Sequence, residues 1–270
     1  MRFLSACLIA ALAVSGPPAL AHEFWISPQT YSVEPEAQII AHIRVGQKFE
    51  GSAYSFIPQK FARFDLVSGE SVIPVEGRIG DRPALAMAAP GDGLVTVVHQ
   101  TTDIFLSYRD AEKFVNFCNE KDFTWVLDEH KARGLPETGF RERYSRYAKS
   151  LVAVGTGAGA DREVGMETEI VALANPYTDD LDGGLPVRVL YRGQPRADVQ
   201  VEIFAKAPDG TVEATKTRTD DAGLAAIPAD PGIEYLVDAV VMRALEPVAE
   251  NDPVWESLWA SLTYQVPAAR

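Results

Sequence analysis

From Thr168 to the C-terminus, short apolar runs alternate with turn chemistry at close intervals. That rhythm limits what the chain can become. The runs cover 168–173, 186–192, 199–206, 211–218, 223–228, 233–242 and 258–266. Between them stand Asp182-Gly183-Gly184, Arg192-Gly193-Gln194-Pro195, Pro208-Asp209-Gly210, Asp221-Ala222-Gly223 and Asp230-Pro231-Gly232. Gly, Pro and Asp in such clusters favour tight turns, and too few residues separate them for helices of ordinary length. Short strands at this spacing predict a β-sandwich.

The first half reads as strands followed by helices. Across 38–45, Ile39, Ala41, Ile43 and Val45 share one face while Ile40, His42 and Arg44 share the other, as in a half-buried strand. Segments 61–67 and 71–75 form a hairpin pattern around Ser68-Gly69-Glu70, 94–101 is a strand rich in β-branched residues, and 104–108 adds one more. The segment 77–90 carries turn punctuation without a clear period. From Arg109 the period changes: Ala111, Phe114, Val115 and Cys118 recur at helical spacing. A second helix is expected over 123–133, stopped by Gly134-Leu135-Pro136. Residues 140–154 read as a strand entered through the charged segment Arg141 to Lys149, itself expected to be solvated and internally ion-paired. Gly155-Thr156-Gly157-Ala158-Gly159-Ala160 is the best linker. The expected organisation is mainly β: two sandwich-like (Ig-like) domains with a short helical insertion at the end of the first. The first domain covers 22–154 with its helices near 109–133, the linker 155–164, and the second domain 165–270.

Residues 1–21 have the layout of a secretory signal peptide. A basic start precedes an apolar run broken by Gly16-Pro17-Pro18, and Ala19-Leu20-Ala21 supplies small residues for cleavage. The run is too short to serve as a membrane anchor. Cleavage after Ala21 would make His22 the first residue, removing Cys7 with the leader and leaving Cys118 as a buried small hydrophobe. The expected location is the periplasm. A net charge of −13 gives no electrostatic basis for binding nucleic acid. No later run reaches membrane length, so no transmembrane segment is expected in the mature chain.

The chain has four histidines: His22, His42, His99 and His130. An N-terminal His22 would offer two nitrogens from one residue, its α-amine and its ring, and nitrogen donors suit copper, nickel and cobalt. His99 lies on the same strand face as Val95 and Val97, where a histidine is either a core residue or a ligand held on a rigid element. His42 sits on the more polar strand face, and His130 near a helix C-terminus where its charge is at home. His22 and His99 are the leading ligand candidates, with His42 and His130 behind them. No paired zinc spacing, nucleophile elbow, phosphate loop or dinucleotide fingerprint occurs, and no catalytic or organic-cofactor residue is assigned. Trp255 and Trp259 are expected to pack rather than to bind sugar.

Two resemblances add to this reading. The outline Tyr191-Arg192-Gly193-Gln194-Pro195, Thr219-Asp220-Asp221-Ala222-Gly223 and Pro231-Gly232 resembles carboxypeptidase-regulatory or transthyretin-like sandwich modules. More of the chain carries a second resemblance. Its marks are Ala21-His22-Glu23-Phe24-Trp25, Val45-Gly46-Gln47 with Phe49 and Gly51, Glu129-His130 with Ala132-Arg133-Gly134-Leu135-Pro136-Glu137, Arg143 to Val152, and Trp255 to Thr263. Together they are similar to the bacterial domain-of-unknown-function family 4198. That resemblance implies a periplasmic protein with β-rich domains, often labelled a component of cobalt- or nickel-type ABC uptake systems. The expected function is therefore binding of a divalent transition metal (Ni, Co or Cu) centred on His22, in uptake or homeostasis, with a membrane transporter or envelope protein as partner. The alternatives are a metal-free envelope scaffold and a copper enzyme using its N-terminal histidine.

Overall fold

The computed structural model describes residues 22–269. The expected leader, with Cys7 and the expected cleavage point after Ala21, lies outside the described residues. The protein is mainly β, with sheets layered as in a sandwich and two short α-helices inserted after the first set of strands.

One ten-stranded sheet runs through the molecule. Its order is Val212–Arg218, Gln200–Lys206, Glu234–Ala244, Trp255–Gln265, Arg141–Val154, Gly93–Thr101, Phe61–Ser68 and Ser71–Pro74, with two short strands, Ser32–Val33 and Ile104–Ser107, also paired to Arg141–Val154. Arg141–Val154 and Trp255–Gln265 join the two halves of the chain in parallel register, from Glu142 opposite Trp255 to Ser150 opposite Thr263. The expected boundary at 155–164 thus falls between strands that share a sheet.

Two four-stranded sheets cover this one. In the first, Glu23–Pro28, Gln38–Gln47, Glu50–Tyr54 and Leu85–Ala88 enclose a core of Phe24, Ile26, Ile39, Ala41 and Ile43 against Val95, Val97, Ala148 and Val152. The second is built on Thr168–Ala172, Leu185–Tyr191 and Leu224–Ile227. Its core joins Ile170, Val187 and Ile227 to Val237, Leu262 and Tyr264, and it also takes in Leu94 and Leu151 from the first half. Successive strand residues point to opposite faces. Ala148 and Val152 therefore serve the first core while Leu151 serves the second.

The helices Ala111–Glu120 and Thr124–Ala132 lie over Trp255 and Trp259 through Phe114, Phe117 and Val126. Asp110 caps the first helix by accepting the Glu112 N–H at 3.0 Å, and Gly134 adopts a positive φ just past the second. Cys118 is fully buried and burial pushes its thiol up to about 12, so it is an inert packing residue.

The glycine-rich stretch is pinned to the strands around it. Asp92 accepts bonds from the Thr156 N–H (2.6 Å) and hydroxyl (2.7 Å), and a side chain at Gly155 would strike that carboxylate. The Asn175 amide donates to the Gly157 and Gly159 carbonyls, and Leu94 N–H donates to Ala158. These glycines permit close approach of the backbone rather than free movement.

Arg141–Lys149 departs from its expected solvated character. Lys149 is fully buried, Glu142 and Tyr147 nearly so, and the charges find partners far away in sequence: Arg143 on Glu256 at 2.8 Å and Lys149 on Asp161 at 2.8 Å. From Tyr147 onward every residue of this central strand is buried, while Arg141, Arg143 and Arg146 remain partly exposed.

Candidate functional site

The residue that cleavage would expose leads directly into the strand Glu23–Pro28. That strand pairs with Gln38–Gln47, from Glu23 opposite Gly46 to Pro28 opposite Ala41. Its remaining carbonyls face the large sheet. Ser261 Oγ donates to the Phe24 carbonyl and Thr263 Oγ1 to the Ile26 carbonyl, both at 2.7 Å. Hydroxyl side chains on Trp255–Gln265 thus satisfy backbone acceptors that would otherwise be buried unpaired. The strand is fixed along both edges, and His22 is fixed at its start.

His22 lines a cavity of about 260 Å³ with Tyr108, Glu142, Tyr144, Arg146 and Trp259. Its Nδ1 is sealed from solvent and has no hydrogen-bond partner among the described residues, while its carbonyl accepts a long 3.4 Å bond from Arg146 Nη2. Glu142, at the back of this cavity, accepts from Tyr108 Oη at 2.6 Å and from Ser257 Oγ. Burial pushes its carboxyl above the usual range.

A second cavity of about 450 Å³ shares Val45, Tyr54, Tyr144 and Arg146 with the first and reaches His99. The His99 ring is fully buried among Phe24, Phe61 and Phe64, with centroids at 5.3, 4.6 and 5.0 Å. Burial pushes its pKa down to about 3, so the ring is neutral near neutral pH. Neither of its nitrogens has a partner among the described residues. The Arg146 guanidinium lies over Phe24 (5.4 Å) and Tyr144 (5.1 Å), and its Nε is also sealed and unpartnered.

The other two histidines lie elsewhere. His130 Nδ1 accepts from Trp255 Nε1 at 2.9 Å. Indole only donates, so the proton must sit on Nε2, which donates to the Pro136 carbonyl at 2.9 Å. Both nitrogens are occupied, and the ring stacks within the helical core. His42 pairs in register with Ser27 and lines neither cavity; partial burial and the nearby Arg44 and Arg82 push its imidazole pKa down. The structure therefore brings His22 and His99 to adjoining cavities and keeps His42 and His130 apart from them. Among the described residues, no group of three His, Cys, Asp or Glu side chains converges on a point that a metal ion could occupy.

Beneath His22 lies an ionic cluster that the sequence does not announce. Lys121, just past the first helix, reaches Glu202, Asp238 at 3.2 Å and Glu23 at 4.0 Å. One ammonium faces three carboxylates. The cation is held protonated, while burial and mutual repulsion push Glu23 up to about 8 and Asp238 up to about 6. Asp238 has a raised folded-state pKa, so ionising it costs stability as pH rises from about 4 through 6. Asp238→Asn is expected to match wild type near pH 4 and to become relatively more stable by pH 7, as followed by urea melts across that range. A constant difference would contradict the assigned burial of this carboxyl.

No curated protein matches the chain. The crystal structure of a tetra-tandem repeat in the extending region of a large adhesion protein aligns over 90% of this chain and 49% of that one, at 10% identity and a TM-score of 0.20. The chain thus spans about half of that structure's length, and so low a score says nothing about function. The family model described as a domain of unknown function, DUF4198, matches residues 19–243, ending within the strand Glu234–Ala244. The chain belongs to the DUF4198 family.

Proposed function

We propose that the mature protein is a periplasmic receptor for a divalent transition metal ion, held by the α-amine and Nδ1 of His22. One observation carries this reading: the buried, unpartnered ring nitrogen of His22 is Nδ1, the nitrogen that closes a small chelate ring with the residue's own amine. The pinned strand behind it holds that chelate in place, so little ordering entropy is lost on binding. Among the described residues no group of three His, Cys, Asp or Glu side chains converges there, which leaves coordination positions for water or a small anionic ligand. His99 is the nearest further nitrogen donor by cavity, and its neutral ring suits a metal.

Affinity alone favours Cu(II) over Ni(II) and Co(II), whereas the labels common in similar proteins point to nickel or cobalt uptake through a membrane transporter. Titration calorimetry of the processed protein with each ion is expected to give one site per chain, lost in His22→Ala. No uptake of any ion would leave an envelope scaffold as the reading. Turnover with oxygen and a reductant would favour a copper enzyme.

A further inference from the structure

We propose that the larger cavity, between Arg146 and His99, is a binding site for a small monocarboxylate with a compact, ring-sized apolar body. The inference does not rest on metal binding at His22: Arg146 and Tyr144 line both cavities, but the groups that would hold the ligand are the Arg146 guanidinium and the His99 ring, and neither needs a metal to do so.

His99 is fully buried, lines this cavity and has two nitrogens without a partner among the described residues. Arg146 lines it too: its Nε is sealed and unpartnered, its Nη2 donates only a long 3.4 Å bond to the His22 carbonyl, and among the described residues no carboxylate forms an ion pair with its guanidinium. Its neighbours Arg143 and Lys149 are both paired, to Glu256 and Asp161. A buried neutral imidazole without partners costs stability, and a guanidinium whose counter-charges, Asp238 and Glu23, act only from beyond contact distance costs more. Two strands of the large sheet, Arg141–Val154 and Gly93–Thr101, hold Arg146 and His99 in these positions. Proteins depart from packing rules in this way where a ligand supplies the missing partners.

The chemistry of the ligand follows from the walls. A guanidinium presents a planar fork that matches a carboxylate. Arg146 and Lys60 set against Asp103 leave one net positive charge on the lining, which suits a single negative charge better than a dianionic phosphate. Phe24, Ile43, Phe61 and Tyr144 offer apolar surface, and about 450 Å³ lies at the small end of ligand-pocket sizes. His99 is left to make one hydrogen bond, donating or accepting according to tautomer.

The test uses processed protein stripped of metal by a chelator, titrated with benzoate, its neutral isostere benzamide and phenyl phosphate, and followed by calorimetry and ligand-observed NMR. Benzoate is expected to bind one per chain, at least tenfold more tightly than benzamide or phenyl phosphate. Arg146→Gln should weaken benzoate at least tenfold and leave benzamide within twofold. His99→Phe should weaken benzoate severalfold while raising the melting temperature, because a ring that needs no partners replaces one that lacks them. Equal affinity for benzoate and benzamide would overturn the proposal, as would tightest binding of phenyl phosphate or no binding of any of the three. Should Arg146→Gln fail to fold, the wild-type comparison of benzoate with benzamide, together with His99→Phe, decides the question. Metal binding at His22 can fail while benzoate binds, and the reverse, so the two readings fall separately.

Discussion

Replacing Lys149 with methionine is expected to lower the stability of the protein by about 3–5 kcal/mol, the usual cost of removing one partner from a buried ion pair. Lys149 lies in the middle of the strand that joins the two halves, with a fully buried side chain. Its ammonium donates to Asp161 at 2.8 Å and to the Arg162 carbonyl at 3.0 Å, and lies 3.7 Å from Glu169. Methionine fills the space but leaves two buried carboxylates without their cation. Asp161 keeps the Ala172 N–H and Glu169 keeps the N–H groups of Val164 and Gly165, which limits the loss without removing it. Urea unfolding followed by far-UV circular dichroism measures the effect as a lower midpoint at unchanged slope. Adding Asp161→Asn should restore part of the loss, since it removes one of the stranded charges. A loss below about 1 kcal/mol, the level of a surface pair, would contradict the assigned burial.

A fragment of residues 165–270 is expected to show no cooperative melt while the full chain does. It would retain the strands of the second covering sheet, but Trp255–Gln265 would lose Arg141–Val154 as its neighbour and become a long, exposed apolar edge. Leu94 and Leu151 would leave its core, and Trp255 and Trp259 would lose their helical cover. Glu202 and Asp238 would lose Lys121. Differential scanning calorimetry of the fragment decides the point: a sharp two-state transition would mean that the shared sheet is incidental to stability.

The strands of the second half are legible because their signals are local. Turn residues bracket each one, and Gln200–Lys206, Val212–Arg218 and Leu224–Ile227 begin within a residue of where the apolar runs begin. The helices are legible for the same reason, through the spacing of Ala111, Phe114, Val115 and Cys118 and through Gly134. Glu23–Pro28 is hidden because the expected cleavage motif ends just before it and its apolar face is only a few residues long. Leu85–Ala88 is hidden among turn residues, and only pairing with Gln38–Gln47 makes it a strand. The glycines at 155–159 read as a linker because sequence records their freedom but not Asp92 packed against them.

At the site, the alternation of 94–101 places His99 on the inward face with Val95 and Val97, and the structure has it there. Its adjacency to Arg146 depends on the pairing of distant strands. The Lys121 cluster draws on residues 23, 202 and 238, and no spacing rule links positions so far apart. Arg146 itself reads as one more charge in a charged run. What marks it is the absence of the ion pairs its neighbours make, a property visible only in three dimensions.

The most direct test of the central claim compares two forms of the protein that differ only at the N-terminus: one beginning at His22 and one carrying a single alanine before it. Every side chain of the site is the same in both, but the extended form ties up the His22 amine in a peptide bond. Titrations with Ni(II), Co(II) and Cu(II) at neutral pH, where a typical α-amine with a pKa of roughly 7.7–8.0 loses its proton at modest cost, are read by calorimetry and visible absorption. The processed form is expected to bind one ion per chain, and the extended form to bind more than about tenfold more weakly, since even supporting contacts to a metal site are worth that much. Equal affinities for the two forms would contradict chelation by the terminal histidine.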